Sequence, residues 1–274
     1  MELYNDDCLE RMKDISNNSI DLLFCDLPYG QTTCKWDCLI DLELFWKEVN
    51  RICKITCPMF FTCSTKFGVS LINSNPKNFR YDLVWIKSAS CGFLNAKKMP
   101  MKKHEMVYVF YRKLPLYDLS SHTHKVLKER KTIDYKNKSF IYGKIDRSDY
   151  MKKNGESAYT PPLPNSVIKT ELYSSENKEE PRELYRNEGG QYDPQLPNSI
   201  LSVKSEKGKH STQKPVDLIS HFLKYYSKEG DTILDPTMGS GSAGIACKNL
   251  NRKFIGIELN KDIFEVAKKR LNNE

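Results

Sequence analysis

Two rhythms of apolar and polar positions share this chain. Short apolar runs of strand length are each followed by a stretch with apolar residues every third or fourth position. Runs at 2–4, 20–25, 58–63, 232–234 and 253–257 predict buried strands, and 81–86 with 106–111 predict a hairpin pair at the sheet edge. Helical spacing predicts helices over 8–15, 39–53, 214–228, 243–250 and 261–271. The second carries Leu42, Phe45, Trp46 and Val49 on its buried side. The third carries Val216, Ile219, Leu223 and Tyr226, with Pro215 near its first turn. Strands alternating with helices imply a mostly parallel α/β sheet. Residues 113–209 break the rhythm, with Pro161, Pro162, Pro164, Pro181, Pro194 and Pro197 and few long apolar runs. A stretch that long without regular structure reads as a functional insertion.

Composition narrows the class. A chain of 274 residues can bury one domain core and still carry an insertion. No stretch approaches the roughly 20 apolar residues of a membrane helix, and Met1-Glu2-Leu3-Tyr4 does not resemble a signal peptide. Nine cysteines without an extracellular signature read as reduced thiols, which implies a cytoplasmic protein without a membrane partner. Cys34/Cys38 and Cys53/Cys57 share a spacing found in metal sites. No His-x3-5-His pair follows, so they read as ordinary thiols and no metal is expected.

Charge is uneven. Residues 97–153 hold 16 Lys/Arg against 6 Asp/Glu, a net of +10, while the whole chain is +8. Everything outside that block therefore sums to −2. Tyr108, Phe110, Tyr111, Tyr117, Tyr135, Phe140, Tyr142 and Tyr150 interleave with the basic residues. A basic, aromatic block on a neutral-to-acidic body suits a phosphate backbone.

Two motifs carry candidate chemistry. Asp26-Leu27-Pro28-Tyr29 ends the second apolar run, at a strand's C-terminal end, where open α/β sheets place their sites. Asp26 can accept from an exocyclic amino group, Pro28 removes a donor and stiffens the turn, and Tyr29 can stack on a base. The second motif, Asp235-Pro236-Thr237-Met238-Gly239-Ser240-Gly241-Ser242-Ala243-Gly244, lies between a strand and a helix, with a further strand ending at Glu258. That order marks a nucleoside-containing cofactor. The glycines also fit the dinucleotide fingerprint, which keeps a nicotinamide oxidoreductase as a rival. Asp235 argues against it, because a carboxylate facing the turn repels a pyrophosphate and suits a sulfonium and an ammonium.

A third segment, His210-Ser211-Thr212-Gln213-Lys214-Pro215, completes a set that resembles the amino-group DNA methyltransferases, with their D-P-P-Y, H-P-T-Q-K-P and D-P-F-x-G-x-G-T motifs. The order, catalytic motif first and cofactor turn last, is similar to the beta arrangement. The chain departs from the pattern at Leu27, Ser211 and Thr237. The resemblance implies a doubly wound, Rossmann-like sheet in permuted order. Its catalytic half would be 1–112, a target-recognition insertion 113–209, and the cofactor half 210–274. It implies S-adenosylmethionine as methyl donor and the N6 of a flipped-out adenine as acceptor, since Asp at the first motif position goes with adenine and Ser with cytosine. Cytosine N4 and RNA remain alternatives. Asp26, Leu27, Pro28 and Tyr29 become the catalytic set. Asp7, Cys8, Thr212, Lys214, Asp235, Pro236, Thr237, Gly239, Gly241 and Glu258 become cofactor contacts. Trp36, Lys97, Lys98, Lys102, Lys103, Lys128, Arg130 and Lys131 become contacts to double-stranded DNA. A second copy of the chain and a cognate restriction endonuclease are open partners.

Neutralising several of Lys97, Lys98, Lys102, Lys103, Lys128, Arg130 and Lys131 is expected to lower affinity for DNA of any sequence. It should also flatten the dependence of log affinity on log salt by ~0.9 for each phosphate that is no longer neutralised. A filter-binding titration at several salt concentrations checks both. An unchanged slope would make the block plain solvated surface.

Overall fold

The computed structural model describes residues 1–30, 38–121, 123–124, 138–139, 143–144, 159–160, 167–169 and 213–272. In chain order the elements are β1 (Glu2–Tyr4), α1 (Cys8–Met12), β2 (Leu22–Cys25), α2 (Leu42–Ile52), β3 (Met59–Cys63), α3 (Thr65–Ser74), β4 (Phe79–Cys91) and β5 (Lys102–Phe110). Short strands follow: β6 (Thr123–His124), β7 (Lys138–Ser139), β8 (Gly143–Lys144), β9 (Tyr159–Thr160) and β10 (Val167–Lys169). The chain then forms α4 (Val216–Tyr226), β11 (Thr232–Asp235), α5 (Ser242–Asn249), β12 (Lys253–Ile257) and α6 (Lys261–Asn272). Two compact units result, one from 1–116 with 166–274 and one from 117–165. In the smaller unit β6 pairs antiparallel with β9, and β7 with β8.

The larger unit is built on one eight-stranded sheet in the order β1-β12-β11-β2-β3-β5-β4-β10. Strands β1, β12, β11, β2 and β3 are mutually parallel, β5 runs antiparallel between β3 and β4, and β10 adds in parallel outside β4. Helices cover both faces. Met12, Phe45, Val49, Ile52, Phe67 and Leu71 of α1, α2 and α3 pack on one. Leu218, Phe222, Leu223, Ala246, Phe264 and Leu271 of α4, α5 and α6 pack on the other. Strands buried on both faces read as continuous apolar runs, and Leu22–Cys25 is buried at every position. The fold is therefore a doubly wound α/β sheet.

Local chemistry explains where the elements begin. Asp7, Asp41 and Ser64 each accept backbone N–H groups at the starts of α1, α2 and α3. Arg51 of α2 closes the other end of α1, donating to the carbonyls of Met12 at 2.6 Å and of Ile15, just past the helix, at 2.7 Å.

The structure differs from the sequence reading in three places. Helix α3 was not anticipated, because Gly68 and the β-branched Thr65 and Val69 weaken its helical signal. Gly68 is there for contact, since a Cβ at that position would collide with the Tyr108 ring. The β4–β5 hairpin runs well past its apolar stretches, pairing Trp85 with Glu105, Ile86 with His104 and Cys91 with Lys102. It is also not the sheet edge, because β10, from the stretch read as irregular, pairs outside it. Among the described residues no helix is long and apolar enough to cross a membrane.

Phe222 anchors α4 to the sheet. It is fully buried, stacks on Phe60 with ring centroids 4.3 Å apart, and meets Phe24 at 6.1 Å. Phe222→Ala is expected to cost about 3–5 kcal/mol of stability. Urea denaturation checks this, and a loss under about 1 kcal/mol would mean that the site collapses without a cavity.

Candidate active site

Strand order places the site. From β2 the sheet continues towards β3, and from β11 it continues towards β12, so the crevice between β2 and β11 is the topological switch point of the parallel strands. Both strands end in carboxylates at the same edge. Asp26 follows β2 and Asp235 closes β11, while Glu258 follows β12 next along.

Asp26 is held from three sides. Its Oδ1 accepts from the Thr62 hydroxyl at 2.7 Å and the Tyr29 hydroxyl at 2.6 Å. Its Oδ2 accepts from Lys214 Nζ at 2.5 Å. The Tyr29 hydroxyl also lies 2.9 Å from the Thr62 carbonyl, and the Tyr29 ring meets Phe67 at 5.3 Å. Burial first, and then the adjacent Asp26, push the Tyr29 phenol far above its ordinary range, so it remains a donor. Leu27 is almost fully buried among core residues. An apolar side chain is therefore accommodated where the motif has its first proline.

Lys214 links Asp26 to a second acid. Its Nζ is 3.5 Å from Glu105 Oε2, and Glu105 Oε1 accepts from Lys87 at 2.6 Å. Burial alone would lower the Lys214 ammonium, but Asp26 and Glu105 hold it above its usual value. Burial alone would likewise raise Glu105, but Lys214 and Lys87 hold it below. Thr62, Glu105 and Lys87 were not singled out from the sequence. The available signals were a lone hydroxyl in the apolar run Met59-Phe60-Phe61-Thr62-Cys63 and the single acid within 97–113.

The glycine turn forms the other half. Gly239 and Gly241 have φ of +52° and +80°, the left-handed region that glycine enters freely. A Cβ built on Gly239 would meet nothing within 4 Å, so the backbone there borders open space. Glu258 braces the turn, with Oε2 accepting from Gly239 N–H at 3.0 Å and Oε1 from Asn260 N–H at 2.8 Å. Thr237 donates its hydroxyl to the Asp26 carbonyl at 3.1 Å and lies 3.4 Å from Cys25 Sγ, which fastens the two motifs together. Pro236 is buried beside them. Asp7 caps α1, accepting from Leu9 N–H at 2.7 Å, and Cys8 is a buried thiol pushed up to about 12 by burial and by Asp7.

Of the DNA candidates, Lys97 and Lys98 are exposed in the turn between β4 and β5, and Lys102 and Lys103 lie at the start of β5. Trp36, Lys128, Arg130, Lys131 and Thr212 fall outside the described residues.

Comparison with known proteins gives the family. The model of the N6/N4 DNA methylase family matches residues 20–269. The chain belongs to that family. Its relatives include the type II methyltransferase M2.LlaDCHI of Lactococcus lactis subsp. cremoris, 40% identical over 111 residues, which are 38% of this chain and 41% of the relative. The type II methyltransferase M.HinfI of Haemophilus influenzae is 26% identical over 97% of this chain and 66% of its own length. The chain thus spans less than two thirds of these relatives. The crystal structure of the M1.HpyAVI–SAM complex superposes with a TM-score of 0.56 at 20% identity, covering 98% of this chain and 99% of the other. The cytosine-N4-specific PvuII DNA methyltransferase gives 0.56 at 15% identity, covering 99% and 93%. At those identities the likeness is one of fold.

Asp235 is the strained member of the candidate site. Burial, with the charges of Asp26 and Glu258 added, raises its carboxyl well above the ordinary range, more than the Thr237 N–H and Lys214 offset. A raised carboxyl binds its proton more tightly in the folded state. As pH rises past the ordinary carboxylate range the unfolded chain ionises first, and folding stability falls. Asp235→Asn removes that cost, so at neutral pH the unliganded variant is expected to melt a few degrees higher than wild type. Differential scanning calorimetry checks it, and a lower melting temperature would show that the carboxylate stabilises the turn.

Proposed function

We propose that the chain is an S-adenosylmethionine-dependent DNA methyltransferase acting on the exocyclic N6 of adenine in a base turned out of the duplex. The observation that carries this is the Asp26 carboxylate. Tyr29 and Thr62 use both lone pairs of Oδ1, whereas Oδ2 accepts from Lys214 alone among the described residues. One acceptor position is thus left at the switch point beside the glycine turn. Family membership supports an amino group as the acceptor, and an acid at the first motif position supports adenine. Cytosine N4 is the second reading, since the cytosine-N4-specific PvuII enzyme shares the fold.

The residues fit the cofactor. Gly239 borders open space on a left-handed turn, between the buried carboxylates of Asp235 and Glu258. These two acids with Gly239 and Gly241 would hold the cationic, nucleoside-bearing ligand, and Asp7 and Lys214 stand at the same edge of the sheet. Bound there, S-adenosylmethionine supplies an electrophilic methyl group on a positively charged sulfur.

The chain's own residues act on the acceptor. An aromatic amino nitrogen is a weak nucleophile because its lone pair is delocalised into the ring. Accepting one amino hydrogen at Asp26 Oδ2 and the other at the Leu27 carbonyl draws that nitrogen towards tetrahedral geometry and localises the pair. The contribution is positioning and electrostatics. Tyr29, fixed by Asp26 at its hydroxyl and by Phe67 at its ring, stacks on the extruded base. Lys97 and Lys98 meet phosphate, and the stretch 113–209 serves target recognition between the catalytic half, 1–112, and the cofactor half, 210–274. DNA as substrate and reduced thiols support a cytoplasmic setting for this activity.

Asp26→Ala is expected to lower methyl transfer at least 10²–10³-fold, roughly the cost of one hydrogen bond to a reacting group, with S-adenosylmethionine binding nearly intact by calorimetry. Tyr29→Phe, which frees Oδ1 of one donor, should lose about threefold to tenfold. Mass spectrometry of nucleosides from methylated genomic DNA should show N6-methyladenine. N4-methylcytosine would select the second reading, and wild-type turnover by Asp26→Ala would remove Asp26 from the chemistry.

A further inference from the structure

The chain Lys87–Glu105–Lys214–Asp26 alternates in charge and ends at the proposed acceptor, and its inner members are poorly placed for mere surface pairing. The Lys214 and Glu105 side chains are only 12% and 20% exposed. Glu105 Oε2 is a buried atom without a hydrogen-bond donor among the described residues, facing Lys214 Nζ at 3.5 Å. At that separation the contact acts through charge more than through a hydrogen bond. Glu105 Oε1 is fixed by Lys87 at 2.6 Å from the neighbouring strand, directly across the hairpin from Trp85. A buried ammonium between two carboxylates cannot turn away from one without losing the other.

We propose that Glu105 is a positioning residue for the methyl-transfer site, holding the Lys214 ammonium on one lone pair of Asp26 Oδ2 so that the other is presented to the target amino group. This deepens the reading of Asp26 as the acceptor and rests on it. Without the Glu105 charge, Lys214 keeps a single anchor and the Asp26 carboxylate loses the constraint on its Oδ2 side, while Thr62 and Tyr29 still hold Oδ1. The defect should therefore fall on turnover and spare cofactor binding. Lys214 is faced by Asp26 after β2, Glu105 on β5, Cys63 at the end of β3 and Asp235 at the end of β11. Removing Glu105 removes one of the charges that keep it protonated, so the alkaline limb of the rate profile should move to lower pH.

The test uses the full chain with unmethylated genomic DNA and S-adenosylmethionine. Glu105→Gln is expected to lower kcat about tenfold, which corresponds to about 1.4 kcal/mol on the barrier. Cofactor affinity should remain at the wild-type value, with the alkaline limb displaced towards acid. In a Lys214→Met background the same substitution should cost less than about twofold more, because its effect passes through Lys214. Glu105→Asp, which keeps the charge, should leave the alkaline limb in place. Wild-type kcat for Glu105→Gln, a loss that multiplies in the Lys214→Met background, or a limb displaced equally by Glu105→Asp would each overturn the proposal. Asp26→Ala is assayed in parallel. If that variant keeps turnover, the reading of Asp26 itself fails. If it is inactive while Glu105→Gln is normal, only the positioning role fails.

Discussion

A carboxylate at the open end of a parallel strand is the constraint on which this site depends. Asp26 leaves β2 where the sheet offers no further backbone partners, and its side chain is 30% exposed, so its charge has to be satisfied by what converges on it. Thr62 comes from the neighbouring strand, Tyr29 from its own turn and Lys214 from the start of α4, far along the chain. Each donor is fixed by the core behind it. Thr62 is fully buried within β3, and the Tyr29 ring rests against Phe67 of α3. Just after Lys214, α4 is fastened to the sheet by Phe222. Packing and chemistry are therefore joined at the level of single helices.

The second motif works by the opposite principle. Around Asp26 the structure supplies three side-chain donors, whereas Asp235 accepts from the Thr237 N–H alone among the described residues, leaving an acid whose burial favours the protonated form. The two acids sit on adjacent strands and play different parts because of what surrounds them. One is an anion already neutralised by Lys214. The other would gain most from a positively charged ligand. The Thr237 hydroxyl, bonded to the Asp26 carbonyl and close to Cys25, keeps these two environments in fixed relation.

Much of this was legible in the sequence, and the missing part has a common cause. Fully buried parallel strands are continuous apolar runs, so β2, β3, β11 and β12 stand out, and glycines with positive φ mark the turn at 239–241. Asp26 and Lys214 were singled out, but not as partners, since nothing local in either segment indicates the other. Thr62 and Glu105 went unnoticed for the same reason. Their meaning comes from register, with Thr62 opposite Val107 and Glu105 opposite Trp85, and register across an antiparallel hairpin is a property of the pairing. Helix α3 was hidden by Gly68, chosen for its contact with Tyr108 at the expense of helical propensity.

The strand order has a consequence for how the molecule comes into being. β1 pairs with β12, Leu3 lying beside Gly256, and β2 has β11 as a neighbour. β1 and β2 thus wait for strands made much later. While the ribosome is still working, β2 and β3 can meet, yet the apolar face that α4, α5 and α6 will cover stays bare. Asp26 likewise has no lysine until 188 more residues have been added. Loops of that length close slowly, so the nascent chain passes through a long interval with an exposed sheet and no working centre. The uncovered sheet is the form that chaperones would meet.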